Sequence, residues 1–239
     1  MEGVLRNTMI SLLVTARSDS KYLAKFITSF MVNTTNFDNV ELLVFIDPED
    51  TWNKELFECF KDKIRIIPDN TGIGRGGSHI FYNEVAKEAK GDWLWYLCDD
   101  HQLFKGYDEY IVKYIDDHHL NSSKVNIIAP MCSNSGRISH ILSRKTYETI
   151  GFGQHGNVDS YINEMCEYLE VYVGANVSRT IPHVPPMPVM ADLGMDKQLM
   201  VHTNKSDFNP VAQVQLFKSE MMKDKIKADA RKLFEVTIP

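Results

Sequence analysis

Two adjacent carboxylates, Asp99 and Asp100, follow directly on the apolar run Trp93–Cys98 (WLWYLC). Side by side at the end of a buried strand, two such charges repel each other and call for a cation to neutralise them. Hard oxygen donors of this kind suit Mg²⁺ or Mn²⁺, which take one or two protein carboxylates and complete their shell with phosphate and water. A solvated turn, or an N-cap for the helix after Gly106, is the plainer use of the same pair. Thr15-Ala16-Arg17 and Asp47-Pro48 stand at the ends of two other apolar runs. Asp47 there either accepts hydrogen bonds from a ligand's hydroxyls or starts a turn. The stretch Gly72-Ile73-Gly74-Arg75-Gly76-Gly77 follows a strand and opens a helix, where backbone can come close to a phosphate. Its spacing is not G-x-G-x-x-G, and no Lys-Ser/Thr follows, which argues against a dinucleotide fingerprint and a P-loop.

These groups need strands to carry them. Short apolar runs at residues 9–15, 40–46, 64–67 and 93–98 read as buried strands. Helical spacing of Tyr22, Leu23, Phe26, Ile27 and Phe30 places a helix after the first strand, and residues 51–60 and 78–89 supply two more, the last stopped by Gly91. Strand and helix alternating over short connections predict a mostly parallel sheet with helices on both faces. Ligands of such a sheet bind at the carboxyl ends of its strands, so Thr15, Asp47 and Asp99-Asp100 converge on one edge. The second half is less regular: helices at 107–118, 143–150 and 159–169, strands at 125–130, 138–142 and 171–174, an extended Pro-rich stretch at 181–189, and a surface helix within 211–234. Trp93 and Trp95 read as core packing, and Trp52 as the better ligand contact.

A chain of 239 residues with 44% hydrophobic residues forms a globular core without staples. Its net charge of −6 speaks against a nucleic-acid partner. Cys59, Cys98, Cys132 and Cys166 are scattered, as reduced core thiols are. No signal peptide and no transmembrane run of 18 apolar residues is present, so a cytoplasmic setting is expected and the sequon at Asn33 is read as chance.

The order of these pieces resembles the family 2-like glycosyltransferases of the GT-A fold. The resemblance covers about residues 9–105 and rests on LLVTAR, on the strand ending at Asp47, and on GIGRGGSHIFYNEVAKEAKGDWLWYLCDDH. Two positions depart from the family pattern: Tyr82 stands where Arg is common before the Asn, and Cys98 replaces the first carboxylate of a D-x-D motif. The resemblance implies a Rossmann-like, mostly parallel sheet in a single domain over residues 1–239, with a nucleotide-binding half to about 105 and an acceptor half with a helical tail beyond. It implies transfer, with inversion, from a nucleotide-diphosphate sugar, a UDP-sugar in first place, to a hydroxyl of a saccharide, a lipid-linked or a protein acceptor. Thr15, Ala16, Arg17, Asp47, Gly74, Asn83 and Asp99 would then contact the nucleotide, and Asp100 would hold Mn²⁺ or Mg²⁺ with help from Asp99. A late His and Lys recruited to metal and phosphate in some such enzymes point to His202 and Lys205; His101 is a lesser metal candidate. The family's base opens a helix in the second half, which makes Asp159 in GFGQHGNVDSYINEM the candidate, with Val158 in place of a neighbouring acid. Asp159 also has the position of a helix cap. Two other functions stay open: a sugar-nucleotide pyrophosphorylase, disfavoured by the absence of glycines in ARSDSKYL, and a non-catalytic nucleotide-binding module.

Overall fold

A computed structural model describes residues 8–16, 20–46, 57–58, 60–69, 78–132, 136–137, 139–153, 158–172, 190–192 and 220–237. The first half runs β1 (Ile10–Ala16), α1 (Ser20–Asn33), β2 (Val40–Ile46), β3 (Ile64–Pro68), α2 (Ser78–Glu88) and β4 (Trp93–Cys98). After a two-residue turn come β5 (His101–Leu103), α3 (Tyr107–Asp117), β6 (Ile127–Ile128), β7 (Met131–Cys132), β8 (Gly136–Arg137) and β9 (Ile141–Ser143). Next follow α4 (Arg144–Ile150), α5 (Val158–Tyr172), β10 (Met190–Asp192) and α6 (Glu220–Thr237).

The main sheet has the order β3-β2-β1-β4-β9-β6. Strands β1 to β4 are mutually parallel, while β9 runs antiparallel to both β4 and β6. A second sheet, β5-β10-β7-β8, grows from the chain just past the β4 tip. The expected α/β architecture is therefore present. The strand order reverses between β1 and β4, where Thr15 lies opposite Cys98.

Side-chain alternation divides the core into two layers. Ile10, Leu12 and Val14 of β1, with Trp93, Trp95 and Leu97 of β4, pack on Leu23, Phe26, Ile27 and Phe30 of α1 and on α3. Leu13, Leu94 and Tyr96 face the other way, toward Tyr82 and Val85 of α2, Tyr161 and Ile162 of α5, and Ile226 and Leu233 of α6. Burying each of these large side chains contributes about 1.5–3 kcal/mol. Trp93 and Trp95 are core residues, as expected. Gly91 lets the chain turn into β4 against β1: a Cβ there would meet Ser11 Oγ at 2.4 Å and the Ser11 nitrogen at 2.7 Å.

Several expected boundaries shift. The strand expected at 125–130 is cut to Ile127–Ile128, because Met131 and Cys132 pair in the second sheet instead. The strand expected at 138–142 becomes Ile141–Ser143, and Ser143 also caps α4 by accepting the Thr146 N–H. Residues 171 and 172 continue α5 rather than start a strand, since its apolar face stays packed on α6. The stretch at 181–189 and most of the helix expected at 51–60 lie outside the described residues. Cys98 and Cys166 are free thiols, and no helix among the described residues is long and apolar enough to cross a membrane.

Helix α6 is fastened to α5 by a buried carboxylate. Asp229, 1% exposed, accepts hydrogen bonds from the Tyr161 hydroxyl, from Lys225 Nζ at 2.7 Å and from Lys232 Nζ at 3.1 Å. Burial alone raises a carboxyl's pKa, but these three donors outweigh it and hold Asp229 below its ordinary value. Replacing Asp229 with Asn should lower stability by about 1–3 kcal/mol at pH 7. Because the folded-state pKa is depressed, the carboxylate's contribution is complete above the unfolded value of about 4 and disappears as pH falls through the lower folded value. Urea denaturation of both proteins from pH 7 to pH 3 should therefore give a constant gap down to about pH 4 and a narrowing one below it.

Candidate functional site

The reversal of strand order sets the location. Alternation along β4 sends Tyr96 and Cys98 to the face covered by α2 and α5, and alternation along β1 sends Thr15 to the same face. Tyr82, buried on α2, joins the two strand tips: its hydroxyl receives the Thr15 hydroxyl at 3.1 Å, donates to the Leu97 carbonyl at 2.9 Å and lies 3.6 Å from Cys98 Sγ. Burial raises the Tyr82 phenol well above its ordinary pKa, so it stays a neutral linker. The Arg that the family resemblance places here would bring a cation. Tyr82 brings only a hydrogen-bonding bridge.

Past Cys98 the chain turns through Asp99 and Asp100 into β5. Asp99 is 2% exposed and Asp100 half-buried. The short β5 is pinned to α1, where Ser29 Oγ accepts the Leu103 N–H at 3.1 Å and Asn33 Nδ2 donates to the Leu103 carbonyl at 2.9 Å. That pinning brings one donor atom each of Cys98, Asp100 and His101 within 4.8 Å of one another. Strand β10 comes alongside with Asp192 opposite His101 in the backbone register.

The three donors are chemically unequal. Burial, followed by the charge of Asp100, pushes the Cys98 thiol up to about 12, so it is a protonated, soft and poor partner for a hard cation. His101 Nδ1 accepts the Cys98 N–H at 3.1 Å, so the ring's proton sits on Nε2 and its lone pair is engaged. Asp100 supplies the hard oxygen. The set fits a cation shared with phosphate oxygens and water, and it does not form an all-protein cage.

Asp159, in the first turn of α5, comes to the same region. Its Oδ1 accepts the Tyr96 hydroxyl at 2.7 Å and the Ser139 N–H at 2.6 Å. Its charge acts on Tyr96, Tyr82 and Cys98 alike, raising all three. Both bonds run from the carboxylate to other parts of the chain. Among the described residues it does not cap α5.

Asn83 serves the turn that leads to Asp159. Its Oδ1 accepts the Phe152 N–H at 3.0 Å and its Nδ2 donates to the His79 carbonyl at 2.7 Å. Gly151 has φ of +63°, and a Cβ there would lie 2.7 Å from Asn83 Oδ1. Ala16 ends β1 half-buried. Arg17, Asp47, Gly74, His202 and Lys205 lie outside the described residues. The sequence reading missed Tyr96, Ser139 and His140. The first had a visible signal: a phenol two residues before Cys98, facing the same way inside an otherwise apolar strand.

The sequence profile of the family described as Glycosyl transferase family 2 matches residues 11–168. No curated protein sequence matches the chain. Among solved structures, S. aureus TarS 1-349 in complex with UDP-GlcNAc is similar with a TM-score of 0.64 and 14% identity, over 95% of this chain and 73% of that one. The same fragment with UDP gives 0.59 and 13%, over 90% and 73%. A longer S. aureus TarS chain gives 0.57 and 13%, over 88% of this chain and only 42% of TarS. At these identities the likeness is one of fold.

Tyr82→Phe removes the bridge while keeping the ring. It leaves the buried Leu97 carbonyl without that donor, and the expected loss is about 1–2 kcal/mol. In urea denaturation this appears as a lower midpoint at an unchanged slope.

Proposed function

The chain belongs to glycosyl transferase family 2, with the GT-A fold, and we propose that it moves a sugar from a UDP-sugar to an acceptor hydroxyl with inversion. One observation carries this reading. The Asp159 carboxylate accepts the hydroxyl of Tyr96 on β4, and Asp100 stands in the turn at the tip of that same strand, so one strand carries both acidic groups to the end of the sheet. An attacking hydroxyl needs a carboxylate to take its proton, and a leaving diphosphate needs a cation that a second carboxylate can hold. UDP in first place is supported by the UDP and UDP-GlcNAc named for the TarS structures.

In this reading Thr15, Ala16, Arg17 and Asp47 hold the nucleoside at the tips of β1 and β2, with Asp99 beside them. Gly74 and Lys205 approach the phosphates. Asp100, with His202 as a further ligand, would hold Mn²⁺ or Mg²⁺, which when bound would supply positive charge to offset that of the departing diphosphate. Asn83 acts indirectly, through the turn before α5. Asp159 accepts the proton of the acceptor hydroxyl as that oxygen bonds to the anomeric carbon, and the bond to the diphosphate oxygen breaks with its electron pair leaving on phosphate. The acceptor is a saccharide, a lipid-linked or a protein hydroxyl.

Mn²⁺ with UDP should raise the melting temperature of the wild type and leave that of Asp100→Ala unmoved; equal rises in both would remove Asp100 from the metal site. Asp159→Asn should slow UDP release from UDP-GlcNAc about 100-fold or more at unchanged donor affinity. Near-normal turnover in that variant would remove Asp159 as the base.

A further inference from the structure

Asp159 is held from behind by a buried group of residues that the transfer reaction itself does not touch. Tyr96 is 2% exposed, and its ring lies against Phe152 at 5.4 Å and Tyr82 at 5.3 Å. A phenol so buried needs partners for its hydroxyl. It has two: Asp159 Oδ1 at 2.7 Å and His140 Nδ1 at 2.9 Å. His140 is fully buried, and its Nδ1 stands 3.8 Å from the same carboxylate oxygen.

Counting protons orders this chain. An ionised carboxylate only accepts, so the single hydroxyl hydrogen of Tyr96 goes to Asp159. The bond between His140 and Tyr96 must then take its hydrogen from the imidazole, which places a proton on Nδ1. The sequence is His140 Nδ1–H to Tyr96 Oη–H to Asp159 Oδ1.

The second donor to Oδ1 is held as firmly. Ser139 has φ of +55°, in the left-handed region that residues other than glycine rarely adopt. Its N–H bonds Asp159 at 2.6 Å, and its carbonyl accepts the Trp95 indole N–H at 2.7 Å. Both polar groups of this unfavourable backbone are thus engaged, one by each face of β4: Trp95 from the α1 side, and Asp159 on the side of Tyr96. Strained backbone of this kind persists where the surroundings over-determine it, and such places cluster at functional sites.

With two donors on Oδ1, the rotation of the carboxylate is fixed. Among the described residues no N–H or O–H reaches Oδ2, and the side chain is 37% exposed. We propose that Tyr96, His140 and the Ser139 peptide are positioning groups that lock Asp159 with Oδ2 turned outward to receive the acceptor's proton. This rests on Asp159 being the base. A network serving only to hold α5 in place has the same proton order but requires no coupling to turnover.

The tests separate the two ideas. In the wild-type protein, long-range ¹⁵N–¹H correlation of the His140 ring should show a proton on Nδ1; a ring protonated at Nε2 alone would overturn the proposal without any variant having to fold. Tyr96→Phe should lower kcat for UDP release from UDP-GlcNAc about 10–100-fold with KM unchanged, the scale expected of a misplaced catalytic group. Added to Asp159→Asn, the same substitution should cost nothing further, because two residues acting as one unit are not additive. A normal kcat in Tyr96→Phe, or losses that multiply in the double variant, would sink the positioning role while leaving the base in place. Full turnover by Asp159→Asn would instead sink the base, whatever the ring of His140 reports.

Discussion

Parallel pairing of β1 with β4 is the constraint on which everything at the site depends. The chain order reverses at that seam, the place where sheets of this kind bind ligands beyond their strand ends. Thr15 and Cys98 are opposed across it, and the Tyr82 hydroxyl ties one strand tip to the other. Every polar group of interest is then a matter of counting residues from this seam. Two steps back along β4 is Tyr96, which meets Asp159. Two steps on is Asp100, followed by His101 on a strand pinned to α1.

Period-two alternation along β4 lets one strand serve two purposes. Trp93, Trp95 and Leu97 fill the layer beneath α1 and α3, while Leu94, Tyr96 and Cys98 face α2 and α5. Trp95 couples the layers, since its ring belongs to one and its N–H holds the Ser139 carbonyl beside the other. The departures from the family pattern are also connected. Where Arg and a first carboxylate are expected, Tyr82 and Cys98 form a neutral pair in contact with each other. Exchanging both charged residues together avoids burying either charge alone.

The central strands and the helices between them were legible from composition and spacing because they are local signals: continuous apolar runs, helical periodicity, and glycine where the chain must turn. The acidic pair at the β4 tip and Asp159 are likewise singled out by position, as candidates. The roles within the site were harder to read. His101, a lesser metal candidate, has its Nδ1 on the Cys98 amide, and Asn83, a nucleotide candidate, has its amide on Phe152 and His79. His140 carried no periodic mark at all. The hydrogen bond that places it beside Tyr96 joins residues 44 positions apart, and nothing in the local sequence announces it.

The clasp between Asp229 and Tyr161 has a consequence for how the protein is made. Helix α5, which bears Asp159, buries Tyr161, Ile162 and Met165 in a layer completed by Ile226, Ala230 and Leu233 of α6. On a ribosome, α5 keeps an open apolar flank until α6 emerges. The helix that bears Asp159 therefore waits for its packing partner until α6 has been translated.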